Sequence, residues 1–496
     1  MSIRRHSIIS SIVVYIGFAL GFVNTYLFAK GFTEAQYGLQ GTFIAIATVM
    51  LSVSNLGMMT YIYKFYPYYN DNLPPEKNDM MTLALLVSLT GFLLVVIGGI
   101  VFKDLVIQKY SRNSPEVVQY YYWLFPFGFG LSMFSLFEAL AWQFRKSVFT
   151  NFLREVLFRI LTTLLIFGFM TGIIRDFDLF IKLYAFTYLL IALILIGYLI
   201  VTKRLHFCFR ISRVTRKFYK KILTLASFVW GGSLIFNIAQ VFDTLVIGSV
   251  VENGMAFVGI YTLAQNVASL IQAPQRAVAS AAVGPLSQAW KDKDYGAINR
   301  IYQRSSINQL IFAVAMFSLI WINFTDGVLT FNLKKGYLDS QQVFLFIGIM
   351  RVIDLGTGLN AQIIATSTFW RFEFISGMIL LLMILPLNYI LTVRMGVVGP
   401  AIANLISITI YNAIRYTFLW KRFNMQPFTI KTLYTLLLGL LCFMVSWYLF
   451  RSYTGFGWIV LRSVVFMGMY ITGILWLDLS PDVVPVWQTV RKRLRI

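Results

Sequence analysis

The chain has 496 residues, 58% of them hydrophobic and 12% charged, with 42 Lys+Arg against 20 Asp+Glu for a formal charge of +22. Soluble domains carry about twice that charged fraction, roughly a quarter of their residues, so a water-soluble globular fold is excluded. No stretch between apolar runs is long enough for a nucleic-acid-binding domain, so the positive charge points to the connections of a polytopic membrane protein. Two cysteines, Cys208 and Cys442, and two histidines, His6 and His206, lie far apart and offer no disulfide framework or metal spacing.

Continuous apolar runs of about 20 residues match a helix crossing a hydrocarbon core of about 30 Å. They exclude a barrel, whose strands alternate in polarity over about ten residues. The expected class is an all-α polytopic membrane protein with about 14 transmembrane helices. Spans are predicted near 8–28, 39–63, 80–102, 117–141, 156–174, 179–201, 222–250, 255–284, 307–325, 342–366, 373–393, 397–420, 428–450 and 457–477. The first lacks a small-residue cleavage site and reads as a retained helix. Connections on one side, with the tails, collect 27 Lys/Arg and those on the other 10, counting Lys182 and Lys431 with their adjoining loops. The bias predicts both termini inside, in a bacterial inner membrane. Lys203 to Lys221 alone holds eight positive charges and reads as a basic amphipathic helix on the inner leaflet. Outer connections are too short for a catalytic domain, which argues against an enzyme.

A repeat is visible at an offset near 220. GYLIVTKRL (197–205) is echoed by RYTFLWKRF (415–423), Asn24 in span one by Asp243 in span seven, and Tyr37-Gly38-Leu39 by Val258-Gly259-Ile260-Tyr261. Two six-helix bundles of equal orientation in a pseudo-twofold arrangement follow, since six is even. The expected division is an N-terminal bundle at 1–205, a basic cytoplasmic linker at 206–221, a second bundle at 222–423, and two additional helices with a basic cytoplasmic tail at 424–496. Such repeats suit alternating access around a central site.

Several polar residues fall within the spans. An arginine at a span centre costs at least about 2.5–3.5 kcal/mol on the insertion scale and so faces protein or water. Arg276, after Pro274 and before the small-residue run 277–282, is the leading candidate to hold an anion; the alternative is snorkelling near a helix end. Asp243 could pair with the helix of Arg276, bind a coupling proton or cation, or hydrogen-bond a polar cargo; the alternative is a water-exposed residue near a helix end. Asn24, Asn55, Asn237 and Asn266 place carboxamides where a polar cargo could be bound, or where helices are joined by bonds of about 0.6 kcal/mol each. Arg351 and Asp354 are three apart and can form an intramembrane charge pair on one helix face. Arg159 and Glu138 read as snorkelling residues near span ends. No Walker A motif is present, so no cofactor is expected and the energy source is a proton, sodium or the membrane potential.

Three segments carry a family resemblance: AKGFTEAQYGLQGTFIAIATVMLSVSNLGMMTYIYKFYP (29–67), FDTLVIGSVVENGMAFVGIYTLAQNVASLIQAPQRAVASAAVGPLSQAW (242–290) and MGVVGPAIANLIS (395–407). With the six-plus-six-plus-two pattern, the chain resembles the multidrug/oligosaccharidyl-lipid/polysaccharide (MOP) exporter superfamily, and within it the polysaccharide transporters and O-antigen flippases of the Wzx type. The resemblance implies a flippase moving a polyprenyl-diphosphate-linked oligosaccharide to the outer leaflet for surface polysaccharide assembly. Its implied partners are membrane lipids and the polysaccharide polymerase and chain-length machinery, with no nucleic acid. It also implies a cavity lined by spans one, two, seven and eight. The superfamily's peptidoglycan-precursor flippases carry arginines in the first, second and eighth spans; here only the eighth has one, Arg276. The rival readings are that precursor flippase and a multidrug/cation antiporter.

Overall fold

The computed structural model describes residues 3–482, and for residues 3–12, 276, 277, 280 and 370 the main chain alone. The basic tail expected at the C-terminus lies outside the described residues from position 483 onward. All regular elements described are helical, as lipid requires of a chain whose backbone groups must be satisfied internally. The helices used below are α1 (Ile3–Gly31), α2 (Glu34–Ser54), α3 (Met58–Asn72), α4 (Met80–Val101), α5 (Leu124–Gln143), α6 (Phe158–Met170), α7 (Phe177–Ala185) and α8 (Thr187–Val201). They continue with α9 (Arg213–Val250), α10 (Gly254–Ser269), α11 (Gln275–Lys291), α12 (Tyr295–Thr330), α13 (Ser340–Gly356) and α14 (Asn360–Ala365). The last four are α15 (Trp370–Met395), α16 (Val398–Phe423), α17 (Ile430–Phe450) and α18 (Phe456–Trp476).

Eleven helices among the described residues are long and apolar enough to cross a membrane. The remaining three expected spans are helical too. Span five is the 13-residue α6 behind a π-helical turn at Phe152–Leu157, span ten is the 17-residue α13, and span twelve is the 26-residue α16. These three carry Arg159, Asp354, and Asn404, Asn412 and Arg415 respectively. The first two are the short helices of the set, and Arg159, Asp354, Asn412 and Arg415 are engaged in the clusters described below.

The chain divides into two compact units, Met1–Gly259 and Ile260–Ile496. In the first, span two is broken. Asn55 ends α2, Leu56 and Gly57 take left-handed φ values of 45° and 78°, and α3 restarts at Met58. A carbonyl near the break, that of Ser52, accepts Trp230 Nε1 at 2.9 Å, so a neighbouring helix supplies a donor at the break. The α2 and α10 backbones cross in near contact. A Cβ added to Gly38 would lie 1.8 Å from the Met255 carbonyl oxygen, and one on Gly259 2.1 Å from that of Glu34. Gly38 and Gly259 are the two glycines that the repeat offset aligns.

The basic segment corrects the expectation of a separate surface helix. Arg213–Val250 is one helix of 38 residues, roughly 57 Å at 1.5 Å per residue. No glycine or proline interrupts it before Gly231. Ser212 caps its start by accepting Thr215 N at 3.2 Å. Asp79, 5% exposed, then holds the cap: its Oδ2 accepts Ser212 N at 2.9 Å and Thr215 Oγ1 at 2.7 Å. Tyr61 donates to Tyr69 at 2.8 Å, and the Tyr69 hydroxyl lies 2.6 Å from Thr215 Oγ1. This buried chain of hydroxyls ending on a carboxylate fixes α9 to α3 and to the start of α4.

In the second unit, the two additional helices pack on α12. Cys442, Phe466, Tyr470 and Ile474 share a core with Ile307, Leu310 and Val314. Arg462 and Asp326, 7% and 6% exposed, pair at 3.3 Å, and Arg462 also donates to the carbonyls of Ile322 and Tyr453. The pair ties the connection between α17 and α18 to α12.

Candidate functional site

Each unit contains a polar cluster built on helices that are otherwise apolar. In the first unit, the π-helical turn supplies the geometry. A π turn holds an extra residue and is frequent at functional sites; this one carries Arg154 and Glu155, and Arg159 lies one turn further on. Arg154 Nη2 meets Glu138 Oε2 at 2.9 Å, with Glu138 only 2% exposed. It also donates to Ser135 at 3.2 Å. Glu138 is therefore a buried, paired carboxylate and not the snorkelling group that its position in the sequence suggests. On the next face, Arg159 Nη2 meets Glu155 Oε2 at 3.0 Å.

Helix α1 is shaped around this second pair. A Cβ on Gly17 would stand 2.7 Å from Glu155 Cβ, and one on Gly21 3.0 Å from Arg159 Cζ. Asn24, 7% exposed, donates to the Arg159 carbonyl at 2.9 Å, and its Oδ1 lies 2.6 Å from Thr163 Oγ1. The guanidinium sits 5.8 Å from the Phe18 ring, and its buried Nη1 has no hydrogen-bond partner. A buried guanidinium N–H without an acceptor is costly and is a ready donor to an anionic oxygen.

In the second unit, the cluster runs through five helices. Asp354 on α13 accepts Asn412 Nδ2 at 3.0 Å and Gln275 Nε2 at 3.2 Å, one on each carboxylate oxygen. Asn360 Nδ2 donates to Asn412 Oδ1 at 2.8 Å. Arg415, 5% exposed, pairs with Glu373 on α15, reaches Asn360 Oδ1 at 3.5 Å, and stacks its guanidinium 3.6 Å from the Tyr411 ring centre. Tyr411 also reaches Glu373 at 3.3 Å. The result is a continuous chain of amides and charges from Gln275 to Glu373. Two carboxylates held this way in apolar surroundings can exchange a proton or cation without exposing bare charge to lipid.

The expected residues distribute unevenly over these clusters. Asn24 belongs to the first and Asp354 to the second; Arg351 lies one helical turn before Asp354 on α13. Asn55 works locally: it caps α2, and its Oδ1 accepts Met59 N at 3.1 Å. Asp243 is buried at 4% exposure on α9, where Asn237 is half-buried. Asn266 is exposed on α10. The side chain of Arg276 lies outside the described residues, and its backbone sits in the first turn of α11. Arg154, Glu155, Gln275, Glu373, Tyr411 and Arg415 escaped the sequence reading. The signal available for them was charge inside or beside a weak span, which snorkelling explains equally well.

Comparison with known proteins adds a family and a fold. The family model described as "Polysaccharide biosynthesis protein" matches residues 3–291. No curated protein matches. Among solved structures, the lipid II flippase MurJ in an inward closed conformation superposes with TM-score 0.72 at 20% identity, covering 95% of this chain and 99% of its own. A multidrug resistance MATE family transporter of the MOP superfamily, inward-facing, gives 0.64 at 14% identity, with 84% and 98% covered. A mutant of the Vibrio cholerae MATE transporter VcmN gives 0.52 at 12%, with 85% and 96% covered. At these identities the likeness is one of fold. The helical membrane architecture, the superposition over nearly the whole chain and the match over more than half of it agree: this chain belongs to the polysaccharide biosynthesis protein family and has the fold of the MOP-superfamily transporters.

Proposed function

We propose that this protein is a flippase that carries a polyprenyl-diphosphate-linked oligosaccharide from the cytoplasmic to the outer leaflet of a bacterial inner membrane, by alternating access, for assembly of a surface polysaccharide such as O-antigen. The observation that carries the reading is a polysaccharide-biosynthesis family set on a multi-span transporter fold. The loop charge bias supports both termini on the cytoplasmic side. Arg276 and Arg159 are the cations offered to the diphosphate, and the carboxamides of Asn24, Asn237 and Asn266 with Asp243 are the groups offered to sugars.

Two energy sources fit the chain. Outward movement of negative charge gains about 2.3 kcal/mol per charge per 100 mV when the inside is negative. The Asp354–Glu373 chain of amides and charges is placed to exchange a proton or sodium. Polysaccharide polymerase and chain-length proteins would take the product at the outer face.

Proteoliposomes loaded with the host's own polyprenyl-diphosphate oligosaccharide, with a lectin or glycosidase outside, test the reading. Protein-dependent appearance of glycan outside is expected, faster under an imposed potential or ion gradient. Immobile glycolipid beside proton-driven efflux of small organic cations from the same vesicles would transfer the protein to the multidrug antiporters. Movement restricted to peptidoglycan precursors would transfer it to that class.

A further inference from the structure

A cleft of about 600 Å³ opens between α3 and the first turns of α9. Its lining carries three lysines, Lys64, Lys220 and Lys221, and the aromatic rings of Phe65, Tyr68, Phe218 and Phe228. Phe218 packs 5.2 Å from Tyr68, and the Lys221 ammonium sits 5.9 Å from the Phe218 ring. The ion pairs among the described residues involve none of the three lysines. Three like charges share one cleft without an internal counter-charge.

The cleft is also directional. From Lys221 to Phe228 the helix rises roughly 10 Å, from a charged rim to rings and side chains in an apolar stretch. Phe228 is 71% exposed, and Leu225 lines the cleft beside it. The walls do not drift apart, because the Asp79–Thr215–Tyr69 chain fastens α9 to α3 behind the cleft. A fixed slot with cations at one end and exposed apolar side chains at the other matches an amphiphile with an anionic head and a hydrocarbon tail.

We propose that this cleft binds an anionic phospholipid of the leaflet at the basic end of the protein, its phosphate between Lys64, Lys220 and Lys221 and one acyl chain along Phe218 and Phe228. Three ammonium groups favour a lipid with net negative charge over a zwitterionic one, whose own cation would face the rim. The site is separate from the transported cargo and stands whether or not the flippase reading holds.

Native mass spectrometry of the full chain, titrated with phosphatidylglycerol or phosphatidylcholine, reads the affinity of the first bound lipid. Wild type should prefer phosphatidylglycerol by at least about tenfold, and K64Q/K220Q/K221Q should lose that preference. K103Q/K109Q/R112Q, which removes the same charge elsewhere, should keep it. An unchanged preference in the cleft triple, or equal loss in both triples, overturns the proposal. Should the triple fail to fold, K64Q alone on the exposed α3 face must lower the preference, and K64R must restore it. Binding of polyprenyl diphosphate that phosphatidylglycerol cannot displace would also overturn it and give the cleft to the cargo.

Discussion

The two units solve the same problem with reversed parts. In the first, Gln40 Nε2 on α2 donates to the Tyr184 hydroxyl on α7 at 2.8 Å. In the second, Asn404 Nδ2 on α16 donates to the Tyr261 hydroxyl on α10 at 3.3 Å. Tyr261 follows Gln40 by 221 residues and Asn404 follows Tyr184 by 220, so the repeat preserves the bond while exchanging which helix brings the amide. At another aligned position the charge is reversed but the partner helix is not retained: Arg154 lies 219 residues before Glu373, whereas their partners Glu138 and Arg415 are 277 residues apart. What the repeat retains is a neutralised polar contact between particular helices, because lipid penalises an unmatched polar group whatever its identity. The identities are then free to diverge toward different tasks, paired arginines on and beside a π turn in one unit and a chain of amides and carboxylates in the other.

The largest asymmetry expected between the units is at Arg276. The residue 221 positions earlier is Asn55, which already accepts a backbone N–H. R276A should abolish glycan export in proteoliposomes with protein still in the membrane fraction. N55A should retain most transport and lose about 1 kcal/mol of stability. Full transport by R276A would remove that arginine from the mechanism.

The ion pairs give the next contrast. Removing Arg415 leaves Glu373 facing apolar surroundings and strips donors from Asn360 and Tyr411. A loss of about 3–5 kcal/mol follows for a buried pair broken on one side. E138Q keeps an acceptor for Arg154 and should lose only about 1–2 kcal/mol. Thermal unfolding in detergent measures both, and equal losses would erase the distinction between the clusters.

Gly21 tests the fit of α1 around Arg159. G21V drives a branched side chain into the guanidinium, and overpacking of this kind costs about 1–3 kcal/mol. Transport should fall further than that stability loss explains, whereas Gly98, with nothing near its Cβ position, should tolerate alanine in both assays. A G21V protein transporting at the wild-type rate would mean that Arg159 has no part in handling the cargo.

The smallest effect sharpens the repeat itself. Q40L and N404L each remove one donor to a buried tyrosine hydroxyl, at about 1 kcal/mol. Both tyrosines are fully buried and the Gln40 bond is the shorter, so Q40L should shift the melting midpoint more. The opposite order would show that the two bonds are not equivalents.

The membrane class, the helical content and the positions of most spans were legible in the chain, because continuous apolar runs have few stable alternatives in lipid. The duplication was legible at Gly38 and Gly259, where two backbones touch and nothing larger fits. Local capping depends on near neighbours alone, as where Thr33 and Gln36 form a capping box at α2. Partnership was not. Glu138 and Arg154 lie on separate helices, Glu373 and Arg415 are 42 residues apart, and Arg159 looks like a snorkelling arginine until Gly17 and Gly21 are seen to make room for its pair. The basic segment likewise reads as a surface helix until Asp79 and Tyr69 anchor its first turn to the start of α4 and to α3. Hydropathy and helix stops depend on a residue and its near neighbours, so one chain determines them. Which polar groups meet depends on helix rotation and on a single π turn, and only the packed tertiary structure decides those.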